Sequence, residues 1–213
     1  MNTLTLYTYF RSSAAFRVRI ALRLKNLPAT HHAVSLIDNA HLQPDYGAIH
    51  PLKLVPALAV GGEVITQSLA ILEYLDEAFP DTPPLVWGDA LTRAKIRSLA
   101  LLVACDIHPL NNLRVQRYLK SAAGLDEAAV KRWCQHWLRQ GFDALEAALG
   151  APGKHCVDEA VSLADVCLVP QVFSAQRAGL EMSPYPNIMS RFEALMSLDA
   201  FRLAEPAAQP DAR

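Results

Sequence analysis

Two adjacent hydroxyls, Ser12 and Ser13, directly follow the cation of Arg11 in the segment YFRSSAAFRVRIAL. A short apolar run, Leu4 to Tyr7, precedes them and an amphipathic helical pattern follows. The hydroxyls therefore fall at a helix start. Backbone N–H groups there lack partners within the helix, and the helix dipole attracts anions. Serine hydroxyls at such a place can donate to a thiolate or an oxyanion. The arrangement suits a bound sulfur nucleophile rather than one supplied by the chain.

Other residues carry a chemical and a plainer reading side by side. Val55-Pro56 stands at the start of a strand pattern, where a trans proline would spoil pairing. Either Pro56 belongs to an edge strand, or the Val55–Pro56 peptide is cis. A cis bond would turn the Val55 N–H and C=O outward, toward an extended peptide ligand. Gln67-Ser68 opens another helical pattern. Ser68 is expected as its N-cap, and the same helix start could also hold a ligand carboxylate. Arg11, Arg114 and Arg177 could each pair bidentately with a carboxylate, or stand as solvated surface charges. His108 and Asn112 lie four residues apart, on one helical face, within the polar stretch CDIHPLNN. Polar groups on an otherwise apolar helix call for partners, although a satisfied core histidine is equally in order. Ser162-Leu-Ala-Asp165 has the spacing of a capping box and is assigned to folding.

The elements that must position these residues follow from periodicity. Leu4–Thr8 is strand-like. Phe16, Val18, Ile20, Leu22 and Leu24 give a helix with a wide apolar face, ending near Lys25–Pro28. His32–Leu36 is expected as a second strand and 38–50 as a polar, irregular link. Leu54–Val60 and Val64–Thr66 flank Gly61-Gly62, a two-residue hairpin signal. A helix from Ser68 to about Phe79 follows. That order, β-α-β then β-β-α, is a thioredoxin-like layout. Pro80, Pro83 and Pro84 mark a linker. Beyond it only helices are expected. One runs through Ile96, Leu99, Ala100, Val103 and Ile107 and is kinked by Pro109. One spans Asp126 to Leu149 with Val130, Trp133, Trp137 and Leu145 facing the core. One starts at Ser162, and one follows Pro186. The tail after Pro206 is expected to be irregular. The expected domains are therefore 1–82, thioredoxin-like, a linker at 83–90, and 91–213, all-helical.

Composition narrows the classes. A chain of 213 residues, 52% apolar, supports a packed core in one large domain or two small ones. A net charge of −1 argues against nucleic acid or an anionic membrane as main partner. No apolar run reaches the length of a membrane span, and the early residues are too polar for a secretory signal. Cys105, Cys134, Cys156 and Cys167 form no C-x-x-C pair, and no metal-ligand spacing is present. They are expected as buried thiols of a cytoplasmic protein.

Together these pieces resemble a glutathione transferase of the zeta class, and within it the bacterial maleylacetoacetate isomerases. YFRSS with RVRIAL resembles the class signature, and HPLKLVPAL with TQSLAILEYLDE the glutathione-site segment. ACDIHPLNNLRV, SLADVCLVPQV and the ending AFRLAEPAAQPDA are similar as well, so the resemblance covers nearly the whole chain. It implies a thioredoxin-like domain followed by an all-helical one, with glutathione as cofactor. Ser12 would stabilise the glutathione thiolate, with Ser13 and Arg11 beside it. Val55 would pair with the cysteinyl backbone across cis-Pro56, and Gln67 and Ser68 would hold the γ-glutamyl end. His41, His108 and Asn112 match positions that help bind the peptide. Arg11, Arg114 and Arg177 match positions that hold substrate carboxylates. A cytoplasmic homodimer acting on a small diacid is implied.

Two departures stand out. Ala14 replaces a cysteine that often follows the serine pair, which speaks against redox chemistry. Leu54 replaces a frequent glutamine, so one glutathione contact is lost or supplied by Lys53. The implied reaction is cis–trans isomerisation of maleylacetoacetate by thiolate addition, rotation and elimination. Maleylpyruvate isomerisation, glutathione transfer to α-halo acids, and a non-catalytic binding module are the alternatives.

Overall fold

Alternation sets the first strand. In the computed structural model, which describes residues 3–212, Leu4, Leu6 and Thr8 of β1 (Leu4–Thr8) point into the core. Two segments flank β1. β2 (Ala29–Ala33) runs parallel, with Leu4 opposite Ala29. β3 (Ala57–Val60) runs antiparallel, with Tyr7 opposite Ala57. β4 (Glu63–Thr66) closes the sheet in the order β2-β1-β3-β4. The hairpin between β3 and β4 turns on Gly61 and Gly62, both at positive φ (56° and 92°), as a two-residue turn of this hand requires.

Helix α1 (Ser13–Leu24) crosses from β1 to β2 and is buried along almost its entire length, from Ser13 to Leu22 apart from Ala14. α3 (Ser68–Ala78) packs beside it through Ile71, Leu72 and Leu75. Lys25, buried at the end of α1, reaches Asp76 of α3 at 2.7 Å and the Pro83 carbonyl at 2.9 Å. Asp76 in turn accepts from the Leu85 N–H. The proline-rich segment is thereby held to the first unit.

Several expectations need correction. The second strand is Ala29–Ala33, three residues earlier than periodicity suggested. It is an exposed edge, so burial leaves no alternation to read. The link at 38–50 is not irregular: it holds a 3-10 turn (Ala40–Leu42) and helix α2 (Pro44–Ile49), which starts on proline as N-termini allow. β3 begins at Ala57, because Pro56 cannot donate to a ladder.

The second unit, Val86–Met196, is helical throughout its regular elements among the described residues. α4 (Ala90–Leu101) packs on α7 (Leu163–Arg177). After α4 the chain widens into a π-helix (Leu102–Ile107) and tightens into a 3-10 turn (His108–Asn111). Pro109 lacks the N–H that would meet the Cys105 carbonyl, so the expected kink takes this form. α5 (Leu113–Ser121), which periodicity did not single out, has no buried residue. α6 (Glu127–Leu149) buries Val130, Cys134, Leu138, Phe142, Leu145 and Leu149. Trp133 and Trp137, expected in its core face, sit half-buried at the flank, and Trp133 Nε1 donates to the Leu110 carbonyl at 2.8 Å. α7 starts in the capping box formed by Ser162 and Asp165. α8 (Pro186–Met196) completes the unit.

The tail corrects the expected domain layout. From Ser197 the chain belongs with the first unit, which otherwise runs to Leu85. α9 (Asp199–Arg202) lies against α1. Pro206–Ala208, expected to be irregular, forms a 3-10 turn. Residues 1, 2 and 213 of the expected domains lie outside the described residues. Cys105 is exposed, against the expectation of four buried thiols, while Cys134 and Cys167 are buried.

Candidate glutathione site

The register of the sheet gathers the candidate residues at one end of the first unit. Tyr7 pairs with Ala57, and Ala57 with Thr66. The end of β1, the start of β3 and the end of β4 are therefore neighbours. Candidates lie close by in the chain at each: Ser12 and Ser13 just past the Tyr9–Arg11 segment that follows β1, Val55-Pro56 directly before β3, and Gln67-Ser68 directly after β4.

Ser12 is the N-cap of α1. Its Oγ accepts from the Ala15 N–H at 3.2 Å. That uses a lone pair and leaves the hydroxyl proton to donate elsewhere, as stabilising a thiolate requires. Ser12 is half-buried, Ser13 is buried and Arg11 is exposed. The Val55–Pro56 peptide is cis, which resolves the two readings of Pro56. Both residues are buried. The neighbouring Leu54 carbonyl is occupied by the Tyr46 hydroxyl at 2.6 Å. Burial pushes that phenol well above its usual range. Tyr46 therefore stays a neutral donor that pins the loop.

Gln67 takes the N-cap position of α3 expected for Ser68, with φ 70° and no side-chain cap bond. Ser68 is the first helical residue, and its hydroxyl oxygen accepts from Arg17 Nη1 at 3.2 Å. His41 is buried on the 3-10 turn. Lys53, at φ 53°, sends Nζ to the Leu42 carbonyl at 3.1 Å, so this ammonium ties the Lys53 loop to that turn. His50, buried between them, has its pKa lowered by burial.

The remaining candidates lie in the second unit. His108 and Asn112 are brought together as their spacing predicted, with His108 Nε2 and Asn112 Nδ2 3.5 Å apart. Asn112 also caps α5, its Oδ1 accepting from the Arg114 N–H at 3.0 Å. Arg114 is exposed in the first turn of α5, and Arg177 is exposed in the last turn of α7. Asp165 accepts from Ser162 N–H, Ser162 Oγ and Cys156 N–H at 2.7–2.8 Å, a folding role as assigned. Burial raises its pKa.

One residue at this end escaped the sequence. Arg17, only 1% exposed, is not among the candidates read from the sequence. The signal was present: a helix with apolar residues at Phe16, Val18, Ile20 and Leu22 is covered on most sides, so a charge within it is buried too.

The site residues suit glutathione. Two helix starts present N–H groups to anions, hydroxyls stand at both, and no backbone hydrogen bond ties Val55 among the described residues. Among the described residues no cluster of three or more His, Cys, Asp or Glu could hold a metal ion, and no helix is long and apolar enough to cross a membrane.

Residues 2–77 match the family described as glutathione S-transferase, N-terminal domain. The chain is 47% identical to a maleylpyruvate isomerase of a Ralstonia species, over 97% of this chain and 98% of the relative. A solved holo structure of maleylpyruvate isomerase, a bacterial glutathione S-transferase in zeta class, superposes with a TM-score of 0.95 at 46% identity. It covers 98% of this chain and 100% of that one. A maleylacetoacetate isomerase from Methylobacterium extorquens AM1, solved with bound malonate and glutathione, superposes at 0.94 with 38% identity, over 98% of this chain and 99% of that one. By sequence over its whole length and by fold, the chain belongs to the zeta-class glutathione transferases, the family of the maleylacetoacetate and maleylpyruvate isomerases.

Proposed function

We propose that this protein is a glutathione-dependent cis–trans isomerase that converts maleylacetoacetate to fumarylacetoacetate. The observation that carries the reading is the meeting of a hydroxyl-bearing start of α1, the cis Val55–Pro56 peptide, whose Val55 backbone makes no hydrogen bond among the described residues, and the start of α3 at one sheet end. When bound, glutathione supplies a thiolate that adds to the conjugated cis double bond, allows rotation about the resulting single bond and is eliminated unchanged.

The chain's own residues have three tasks. Ser12 donates its hydroxyl proton to the sulfur and, with the N–H groups of the α1 start, favours thiolate over thiol. Val55 pairs with the cysteinyl backbone, while Gln67 and Ser68 hold the γ-glutamyl end at the start of α3. His41, Lys53, His108 and Asn112 are assigned to orienting the peptide. Arg11, Arg114 and Arg177 are assigned to the substrate carboxylates, and an arginine there also stabilises the enolate formed by addition. The same reading carries a homodimer and a cytoplasmic location, which sedimentation and cell fractionation test.

Maleylpyruvate is the second reading, favoured by the 47% identity to the Ralstonia enzyme of that name. It needs the same chemistry on a shorter diacid. The test is isomerisation of both diacids with and without glutathione, read through a coupled fumarylacetoacetate hydrolase for the first and by loss of the cis-enone absorbance for the second. Fast, glutathione-dependent turnover is expected, and the ratio of the two rates names the substrate. Glutathione binding with no turnover of either diacid would overturn the isomerase.

A further inference from the structure

Two arginines of α1, two residues apart, are equally buried and differently served. Arg19, 1% exposed, donates to the carbonyls of Ala204, Tyr9 and Phe10 and to the Thr8 hydroxyl at 3.0–3.3 Å. All three of its nitrogens are engaged. Arg17, also 1% exposed, makes a single hydrogen bond, from Nη1 to Ser68 Oγ at 3.2 Å. Its Nε and Nη2 have no partner among the described residues. No carboxylate of the described residues forms an ion pair with it either. A buried, uncompensated cation is costly, and such groups are retained where something else supplies the opposite charge.

Its location says what that is. Ser68 is the first residue of α3, an 11-residue helix whose start bears the positive end of the dipole. Gln67 caps it without a side-chain bond, and its first turn holds no acidic residue. We propose that Arg17 is a positioning residue for the ligand carboxylate at the start of α3. By donating to Ser68 Oγ it fills a lone pair on that oxygen and leaves the Ser68 hydroxyl proton to donate outward. Its charge, one hydrogen bond behind the helix start, offsets the negative charge that Ser68 receives. Resting on the glutathione reading above, the ligand group is the free α-carboxylate of the γ-glutamyl residue, and Arg17 makes the site select for its charge.

The test is calorimetric binding to the full chain of glutathione and of an analogue whose γ-glutamyl α-carboxylate is a neutral carboxamide. Wild type is expected to prefer glutathione by roughly tenfold or more, the scale of one charge-assisted hydrogen bond. Arg17→Gln is expected to weaken glutathione about tenfold, leave the carboxamide within about threefold, and so erase the preference. Arg17→Lys, which keeps the charge, is expected to retain most of it. An equal loss for both ligands in Arg17→Gln, or no loss, overturns the proposal. If Arg17→Gln has no cooperative melt, a folded Arg17→Lys that loses the preference overturns it instead, and one that keeps it supports it. No binding of glutathione to wild type would overturn the parent reading, a distinct outcome.

Discussion

The proposed reaction gives the Ser12 hydroxyl two jobs, and they can be separated. Its oxygen caps α1 through the Ala15 N–H, which leaves its proton for the proposed contact to sulfur. Ser12→Ala is expected to lower turnover by roughly one to three orders of magnitude, the scale of losing an anion donor. The lost cap should cost only about 1 kcal/mol in a melt. Ser12→Thr should restore the cap and part of the rate; unchanged turnover in Ser12→Ala would move the thiolate role to Ser13 or Arg11. His50 gives a pH prediction. Burial lowers its pKa below the usual 6.5, and its Nδ1 has no partner among the described residues. The unfolded chain thus binds this proton more readily, so stability rises with pH through this window. The contribution is whole above about pH 6.5 and is lost as pH falls toward the lowered folded value. Denaturant melts between pH 5 and 7 should show that acid limb, flatter in His50→Phe; an identical limb in the variant would assign it to other groups. At this scale much was legible, because Ser12, Val55 and Ser68 are marked by their neighbours along the chain. Arg17 was not. What decides its role is burial beneath a helix 51 residues away in sequence, which no local spacing encodes.

Elements were legible where burial repeats with a helix or strand period. β1, α1, α3, α6 and the capping box of α7 all present a continuous inward face. The elements that escaped lack one: β2 is an exposed edge and α5 buries nothing. The π-helix after α4 escaped for another reason, since it is packed on α6 as well as set by Pro109. A Cβ on Gly141 of α6 would lie 2.3 Å from Ile107 Cγ1, at the end of the π segment. Gly141 thus lets the two backbones approach, and Ile107, 1% exposed, fills the gap. Gly141→Ala gains helix propensity of about 1 kcal/mol but overpacks a buried site, typically a loss of about 1–3 kcal/mol. The clash should win, and the melting temperature should fall. In an Ile107→Ala background the same substitution should be neutral or stabilising. Equal effects in both backgrounds would show that Ile107 is not the obstacle.

At the scale of the whole chain, the first unit is built from two separate stretches of sequence. The tail was expected with the helices, yet it completes the first unit. What ties it there is polar and long-range. Arg19 Nε donates to the Ala204 carbonyl at 3.0 Å, and Asp211 accepts from the Phe10 N–H at 2.9 Å. Phe201 and Ala204 are fully buried beside these bonds. Nothing in the tail's composition announces this, because the partners lie about 200 residues away. The consequence reaches the chemistry. Arg19 also holds the carbonyls of Tyr9 and Phe10, the residues that lead into Arg11 and Ser12. Burial depresses its pKa to about 10, with Asp211 pulling the other way, so it stays charged near neutral pH. Deleting 197–213 exposes buried Phe201 contacts and frees a buried guanidinium from one carbonyl, and is expected to abolish cooperative folding of the first unit. Asp211→Ala is the milder probe. It removes one bond from the Phe10 N–H, worth about 1–3 kcal/mol for a charged acceptor, and leaves all the hydrogen bonds of Arg19 in place. It should lower the melting temperature by a few degrees. It should also weaken glutathione binding several-fold, because the segment before Ser12 loses an anchor. Asp211→Asn, which keeps an acceptor oxygen, should recover most of both. Full glutathione affinity in a destabilised Asp211→Ala would show that the tail supports the fold without ordering the residues around Ser12.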